Sequence, residues 1–336
     1  MSAKITYLIG AGASAKAIPI NKRMENSIQR LTLTEALNEH FEGKKIEMIS
    51  SIGGHTGFNK MKQLITAAIK FGTPDYLIKF LLESDRKTDY EMMKIILCEY
   101  FIDTQRLTPQ GSNFFDFYLP YIDRRIIPFL STIMKSGEVS ENVKIISWNY
   151  DYQLELASTI LSGKNNLFTF TKGFTSWPIN RDVSNPFLLH LNGIGGYIGK
   201  DDKIEFKKKN IVTDEVMGTP ILPAINFAWE HESDDVYFKD RMKIAEKMIQ
   251  GTEILVVIGY SFPFFNKEVD EKLISLCGNT LQTIYFQDPS NNGDFLINRF
   301  KEINENHVNR TASNLRKLIQ HITDVDQYHV PYEFKY

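Results

Sequence analysis

The sequence predicts the α/β class: a mainly parallel sheet with helices on both faces, carrying a large helical insertion. Three observations lead there. Short runs rich in Val, Ile and aromatic residues recur at 5–9, 143–148, 186–191, 254–259 and 283–287, as expected of strands buried on both faces. Most of them end in turn residues. Between the first and second runs, residues 21–41, 60–71, 76–83 and 90–103 group their apolar side chains near helical spacing, and 114–135 continues in that manner, bent or broken at Pro120 and Pro128.

Taken in order, the first strand (5–9) runs into Gly10-Ala11-Gly12-Ala13-Ser14, a glycine turn that suits entry into a helix. The helical stretch 21–135 follows as an insertion. The second strand ends in Asn149-Tyr150-Asp151 and gives way to a helix over 152–161. The third ends in His190, followed by Asn192-Gly193 and Gly195-Gly196, and a small hairpin is expected where 197–198 and 204–206 flank 199–203. The fourth strand leads into Gly259-Tyr260-Ser261-Phe262-Pro263 and the fifth into Asp288-Pro289-Ser290-Asn291. A helix over 315–322 and an aromatic segment over 328–336 close the chain. Together these make one domain over 1–336, with a helical insertion at 21–135 and a helical tail at 292–336.

Composition narrows the function classes. With 39 Lys and Arg against 41 Asp and Glu the net charge is −2, so neither nucleic acid nor an anionic membrane surface is favoured as a partner. Two cysteines, Cys98 and Cys277, are too few for a disulfide framework or a four-cysteine zinc site, and no metal is expected. The apolar start is shorter than a signal-peptide core, and no stretch approaches the roughly 18 apolar residues of a membrane span. A soluble cytoplasmic protein is expected.

In a doubly wound sheet the motifs at the strand ends share one edge, where open α/β folds bind ligands. Gly10, Gly12 and Ala15 fit G-x-G-x-x-G/A, whose exposed N–H groups receive a pyrophosphate. The acidic residue expected about 20 positions later at a second strand end is missing, because that region reads as helix. A dehydrogenase is therefore disfavoured. Asn149 can orient a water or hold a sugar hydroxyl, although Asn149 or Asp151 equally suits a helix cap. His190 is either a structural histidine or a ligand-facing one at a glycine-rich corner. Ser261 suits a phosphate or ribose, and Asp288 with Asn291 the adenosine half; each also reads as an ordinary turn residue.

Taken together, these motifs resemble sirtuins, specifically the sirtuin-like NAD-cleaving domains of bacterial anti-phage defence systems. Gly10-Ala11-Gly12-Ala13-Ser14 is similar to the family's opening NAD-binding motif, with Pro19 near its proline. Asn149-Tyr150-Asp151 resembles the catalytic Asn-x-Asp, His190 the family histidine, and Gly259-Tyr260-Ser261 the later Gly-x-Ser. The likeness implies a sirtuin-like Rossmann fold in which Asn149, Asp151 and His190 are catalytic and Gly10, Ala11, Gly12, Ser14, Asn149, Gly259, Ser261 and Asp288 bind NAD. It implies hydrolysis of NAD to nicotinamide and ADP-ribose, NAD depletion in abortive infection, a homo-oligomer, and control by self-assembly or a separately encoded protein such as an ATPase. There are departures. The loop at 17–23 reads Ala-Ile-Pro-Ile-Asn-Lys-Arg, His190 is followed by Leu191-Asn192-Gly193 rather than directly by glycine, and the paired-cysteine zinc module is missing. These point away from lysine deacylation, leaving a protein deacylase and a catalytically silent NAD or ADP-ribose sensor as alternatives.

Overall fold

A computed structural model describes residues 3–14, 33–43, 54–105, 108–109, 117–118, 122–135, 138–163, 175–180, 182–199, 203–206, 222–227, 230, 236–289, 293–304 and 319–334. The first strands along the chain are β1 (Ile5–Ile9), β2 (Thr108–Pro109), β3 (Phe117–Tyr118), β4 (Met134–Lys135), β5 (Glu138–Val139), β6 (Val143–Ser147) and β7 (Ser176–Trp177). They are followed by β8 (Leu188–His190), β9 (Gly193–Ile198), β10 (Ile204–Glu205), β11 (Leu222–Ile225), β12 (Ile254–Ile258), β13 (Thr283–Gln287) and β14 (Ile319–Ile322). The helices are α1 (Leu33–Gly43), α2 (Gly54–Phe71), α3 (Pro74–Glu83), α4 (Lys87–Thr104), α5 (Ile126–Ile133), α6 (Gln153–Leu161), α7 (Val236–Ile249), α8 (Lys267–Ser275) and α9 (Gly293–Asn304).

The described residues fall into two compact units, the first within 1–14, 109–193 and 226–336 and the second within 15–108 and 194–225. The first holds a seven-stranded sheet in the order β14-β13-β12-β1-β6-β8-β7, with every neighbouring pair parallel. Parallel strands need both faces covered, and β1, β6 and β12 are buried at every position. Successive side chains of β1 serve opposite faces. Leu8 joins the apolar cluster made with α7, α8 and α9, while the Tyr7 ring meets Phe129 of α5 edge-on at 5.0 Å. Helices thus flank a parallel sheet in a Rossmann-like α/β arrangement.

In the second unit, α1 to α4 accompany the three-stranded sheet β10-β9-β11. Helix α3 starts where sequence chemistry dictates: the Thr73 hydroxyl accepts from the Tyr76 N–H at 3.3 Å and Pro74 opens the first turn. Helix α4 is buried on most sides, as its lack of a polar face requires. The expected hairpin is present, with Ile204 opposite Ile198 and Glu205 opposite Tyr197. Gly195 and Gly196 are strand residues of β9 rather than turn residues. A Cβ on Gly195 would lie 2.5 Å from the Phe101 side chain of α4, so glycine lets strand and helix approach.

Two expectations from local pattern are corrected. Within 114–135 the described residues place strand β3, then helix only over α5, then strand β4. Pro128 sits in the first turn of α5, where its missing N–H has no intrahelical acceptor to lose, so it does not break the helix. The helix expected at 315–322 is replaced, over its described part, by β14, which pairs parallel with β13 from Ile284↔Ile319 to Gln287↔Ile322. Among the described residues the tail is accordingly helical only in α9. Of the expected helix at 21–41, residues 33–41 belong to α1; the remainder, together with Ala15, Pro19, Ser290, Asn291 and residues 315–318, lies outside the described residues. Among the described residues, no helix is long and apolar enough to cross a membrane.

Candidate functional site

The carboxyl ends of β1, β6 and β8 adjoin, and the loops leaving them build a buried polar cluster. The Trp148 N–H donates to the Ile9 carbonyl at 2.9 Å and the Leu191 N–H to the Ser147 carbonyl at 2.7 Å, locking the three ends in register. Asn192, beyond β8, donates from Nδ2 to the Trp148 carbonyl at 3.0 Å. Asn149 therefore leaves β6 from a fixed platform.

Asn149 donates from Nδ2 to the Gly10 carbonyl at 3.1 Å and to Ser14 Oγ at 3.3 Å. Since a carbonyl only accepts, the amide nitrogen must face Gly10, and Oδ1 points the other way. Asp151 accepts the Gln153 N–H at 3.2 Å at the start of α6 and a hydrogen bond from Ser14. It thereby performs the capping task that the sequence allowed, although Tyr152 occupies the cap position itself. His190 is 1% exposed. Its Nδ1 lies 3.0 Å from the Asn149 carbonyl oxygen and its Nε2 2.8 Å from Glu155 Oε1. Both ring nitrogens are engaged within the protein.

Ser14, Asn149, Asp151 and His190 line one cavity with Ile9, Ile126, Ser147, Gln153, Leu154 and Tyr328. Its volume, about 10 Å³, is that of a single water site. All of these residues belong to the first unit. The structure thus brings four of the expected site residues together. The remaining ones are placed differently. After β1 comes a short 3₁₀ turn, Ala11–Ser14, and the Gly12 N–H, expected to face a pyrophosphate, donates to the Gly259 carbonyl at 2.9 Å. A Cβ on Gly10 would lie 2.6 Å from the Gly259 oxygen, and one on Gly12 2.8 Å from Gly259 Cα. These glycines press the loops after β1 and β12 together, backbone on backbone. Ala11 and Ser261 are exposed, and the Asp288 N–H donates to the Ile322 carbonyl at 3.2 Å. Ala11, Ser261 and Asp288 do not line the cavity.

Four contributors escaped the sequence reading. Glu155 is fully buried on α6 and accepts from the Ser176 hydroxyl at 2.6 Å. Tyr328 donates to the Ala13 carbonyl at 2.8 Å, and the Arg125 guanidinium, which also reaches Ala13, lies over the Tyr328 ring at 5.2 Å. The C-terminal segment so closes one wall of the cavity, and Gln287 holds it by donating to the Asp324 and Gln327 carbonyls and accepting from the His329 N–H. Flanking apolar residues hid Glu155 on its helix, and the partners of Tyr328 and Arg125 are remote in sequence.

Burial raises the Asp151 carboxyl from 3.8 to about 6, against the Gln153 N–H, the Ser14 hydroxyl and the positive pull of His190. Burial works against charge on His190 too. The Glu155 carboxylate outweighs it through charge and hydrogen bonding, and with the Asn149 carbonyl and Asp151 raises the imidazole above its ordinary value. Both shifts act on stability in one direction. Between about pH 4 and 6 folded Asp151 holds a proton that the unfolded chain has released, so stability falls as pH rises through that window, by about 3 kcal/mol. The His190 contribution is complete below pH 6.5 and is lost as pH rises through its higher folded value. Asp151→Asn should flatten the fall between pH 4 and 6 and raise the melting temperature at pH 7. Thermal unfolding of both proteins across pH 4–8 checks this, and an unchanged slope would remove Asp151 as its source.

No protein-family model matches the sequence, and no curated protein matches it. Among the described residues, no group of three or more His, Cys, Asp or Glu side chains is placed to hold a metal ion.

Proposed function

We propose that the chain is an NAD⁺ glycohydrolase of the sirtuin-like kind, with NAD as substrate rather than recycled cofactor. The observation that carries this reading is the convergence of Ser14, Asn149, Asp151 and His190 on one water-sized cavity at the carboxyl edge of a parallel sheet. These are residues of three of the four motifs that resemble the family's, met in space as well as in order.

The chemistry suits the groups present. Nicotinamide leaves NAD⁺ as a neutral ring from a cationic bond, so no general acid is needed. The site has to stabilise an oxocarbenium-like ribose and deliver water to C1′. In the proposed reaction Asn149 Oδ1 orients that water, the C1′–N bond breaks as the C1′–O bond forms, and the water's proton passes to Asp151. A carboxyl titrating near 6 is a competent acceptor close to neutral pH. With Nδ1 and Nε2 both engaged, His190 acts on the Asn149 loop; a contact from its ring to the ribose hydroxyls requires one of those bonds to open. Abortive infection, self-assembly and a separate activator remain part of the proposal through the resemblance alone.

The assay is incubation of the purified protein with NAD⁺ and chromatography for nicotinamide and ADP-ribose. Equal release of the two supports the reading. An intact NAD⁺ pool with tight NAD⁺ binding favours a silent sensor, and deacetylation of an acetyl-lysine peptide favours the deacylase. Burial pushes both thiols up to about 12, which makes Cys98 and Cys277 poor thiolate ligands. Elemental analysis should therefore find no stoichiometric zinc, and NAD⁺ cleavage should persist in chelator. One zinc per chain would contradict this.

A further inference from the structure

We infer that Glu155 is a positioning residue for this site: braced by Ser176, it holds His190 as a strut that fixes the Asn149 carbonyl and hence the amide facing the cavity. The inference rests on the proposed NAD⁺ cleavage for its activity readout, while the strut can be tested without it.

The geometry forms one line of hydrogen bonds across four elements. Ser176 Oγ at β7 donates to Glu155 Oε1 on α6 at 2.6 Å. The same oxygen meets His190 Nε2, at the end of β8, at 2.8 Å. His190 Nδ1 meets the carbonyl of Asn149, beyond β6, at 3.0 Å. Because that carbonyl can only accept, Nδ1 carries a hydrogen, and a carboxylate at Nε2 favours a second one there. Asn149 is then held at both ends: its carbonyl by His190, and its side-chain nitrogen by Gly10 and Ser14. That leaves Oδ1 as the group whose direction the network sets.

A buried acid that merely stabilised the fold would be expected to saturate both oxygens. Glu155 is 0% exposed, yet Oε2 has no hydrogen-bond partner in the structure. All its polar contacts are concentrated on the oxygen that serves His190 and Ser176. Of the charged groups around the imidazole, Glu155 faces it from α6 and Asp151 from the loop after β6. Asp151 also lines the cavity, whereas Glu155 does not: it reaches the site through its hydrogen bond to the histidine and through its charge, which raises Asp151 as well.

The test is a side-chain NMR titration of His190 in the full-length protein and in Glu155→Gln, with NAD⁺ turnover of both measured alongside. The expected result is a wild-type midpoint above the ordinary imidazole value, lowered by about one pH unit or more in Glu155→Gln. In parallel kcat should fall on the order of tenfold or more, with KM little changed, as for removal of a carboxylate that orients a histidine. An unchanged titration in folded Glu155→Gln overturns the inference, as does an unchanged kcat. Should Glu155→Gln fail to fold, Ser176→Ala takes its place: a lowered His190 midpoint supports the strut and an unchanged one overturns it. A wild-type protein that leaves NAD⁺ intact defeats the functional reading separately, and the titration still decides the pairing.

Discussion

Asn149→Ala is expected to lower NAD⁺ turnover by about 10²–10³-fold, the loss typical when one preorganised polar group is removed from a transition-state site. The protein should still fold. Truncation deletes Oδ1 at the cavity and leaves the Gly10 carbonyl and Ser14 hydroxyl without their amide donor, which costs about 1–3 kcal/mol of stability. Sheet packing is untouched, because the strand itself ends at Ser147. Circular dichroism and a melting curve should show a folded protein, modestly destabilised, and steady-state kinetics should place the loss in kcat. Wild-type turnover by the folded variant would remove Asn149 from the mechanism.

Gly259→Ala should produce the largest stability loss of any single methyl addition at the strand-end loops. Gly259 has φ +59°, and a Cβ there would lie 2.2 Å from the Ala13 nitrogen and 2.3 Å from the Gly12 carbonyl carbon. The left-handed backbone and the overlap with unyielding backbone atoms add, for about 2–5 kcal/mol in all. Against a typical total of about 5–15 kcal/mol this is a large share. Gly278 is the control. Its φ is +56°, yet nothing lies within 4 Å of an added Cβ, so Gly278→Ala should cost about 1–2 kcal/mol from conformation alone. Chemical denaturation of the two variants checks the contrast. Equal losses would show that backbone conformation, rather than the close approach of the loops after β1 and β12, is what these positions require.

The buried strands were legible because parallel strands leave a strong local mark: the five apolar runs correspond to β1, β6, β8, β12 and β13. The edge strand β14 was not. Ile319-Gln320-His321-Ile322 is short and half-buried, and what makes it a strand is pairing with β13, a contact that no local pattern records. The candidate site divides in the same way. Asn149, Asp151 and His190 stand directly after apolar runs, so their shared edge followed from the sheet. Glu155 and Tyr328 reach the cluster from a helix and from the far end of the chain. Close backbone approach is what Gly10, Gly12 and Gly259 provide, and they provide it to one another.

Whether NAD⁺ is cleaved at the cluster around Asn149 is decided by a crystal structure of Asn149→Ala grown with NAD⁺. Ligand pockets for molecules of this kind run to several hundred Å³, whereas the described residues enclose about 10 Å³ at this point. NAD⁺ bound at this cluster would therefore require its lining to open. The expected structure holds intact NAD⁺ with its nicotinamide ribose beside Asp151 and His190. NAD⁺ bound elsewhere on the chain, with this cluster unchanged, would contradict it.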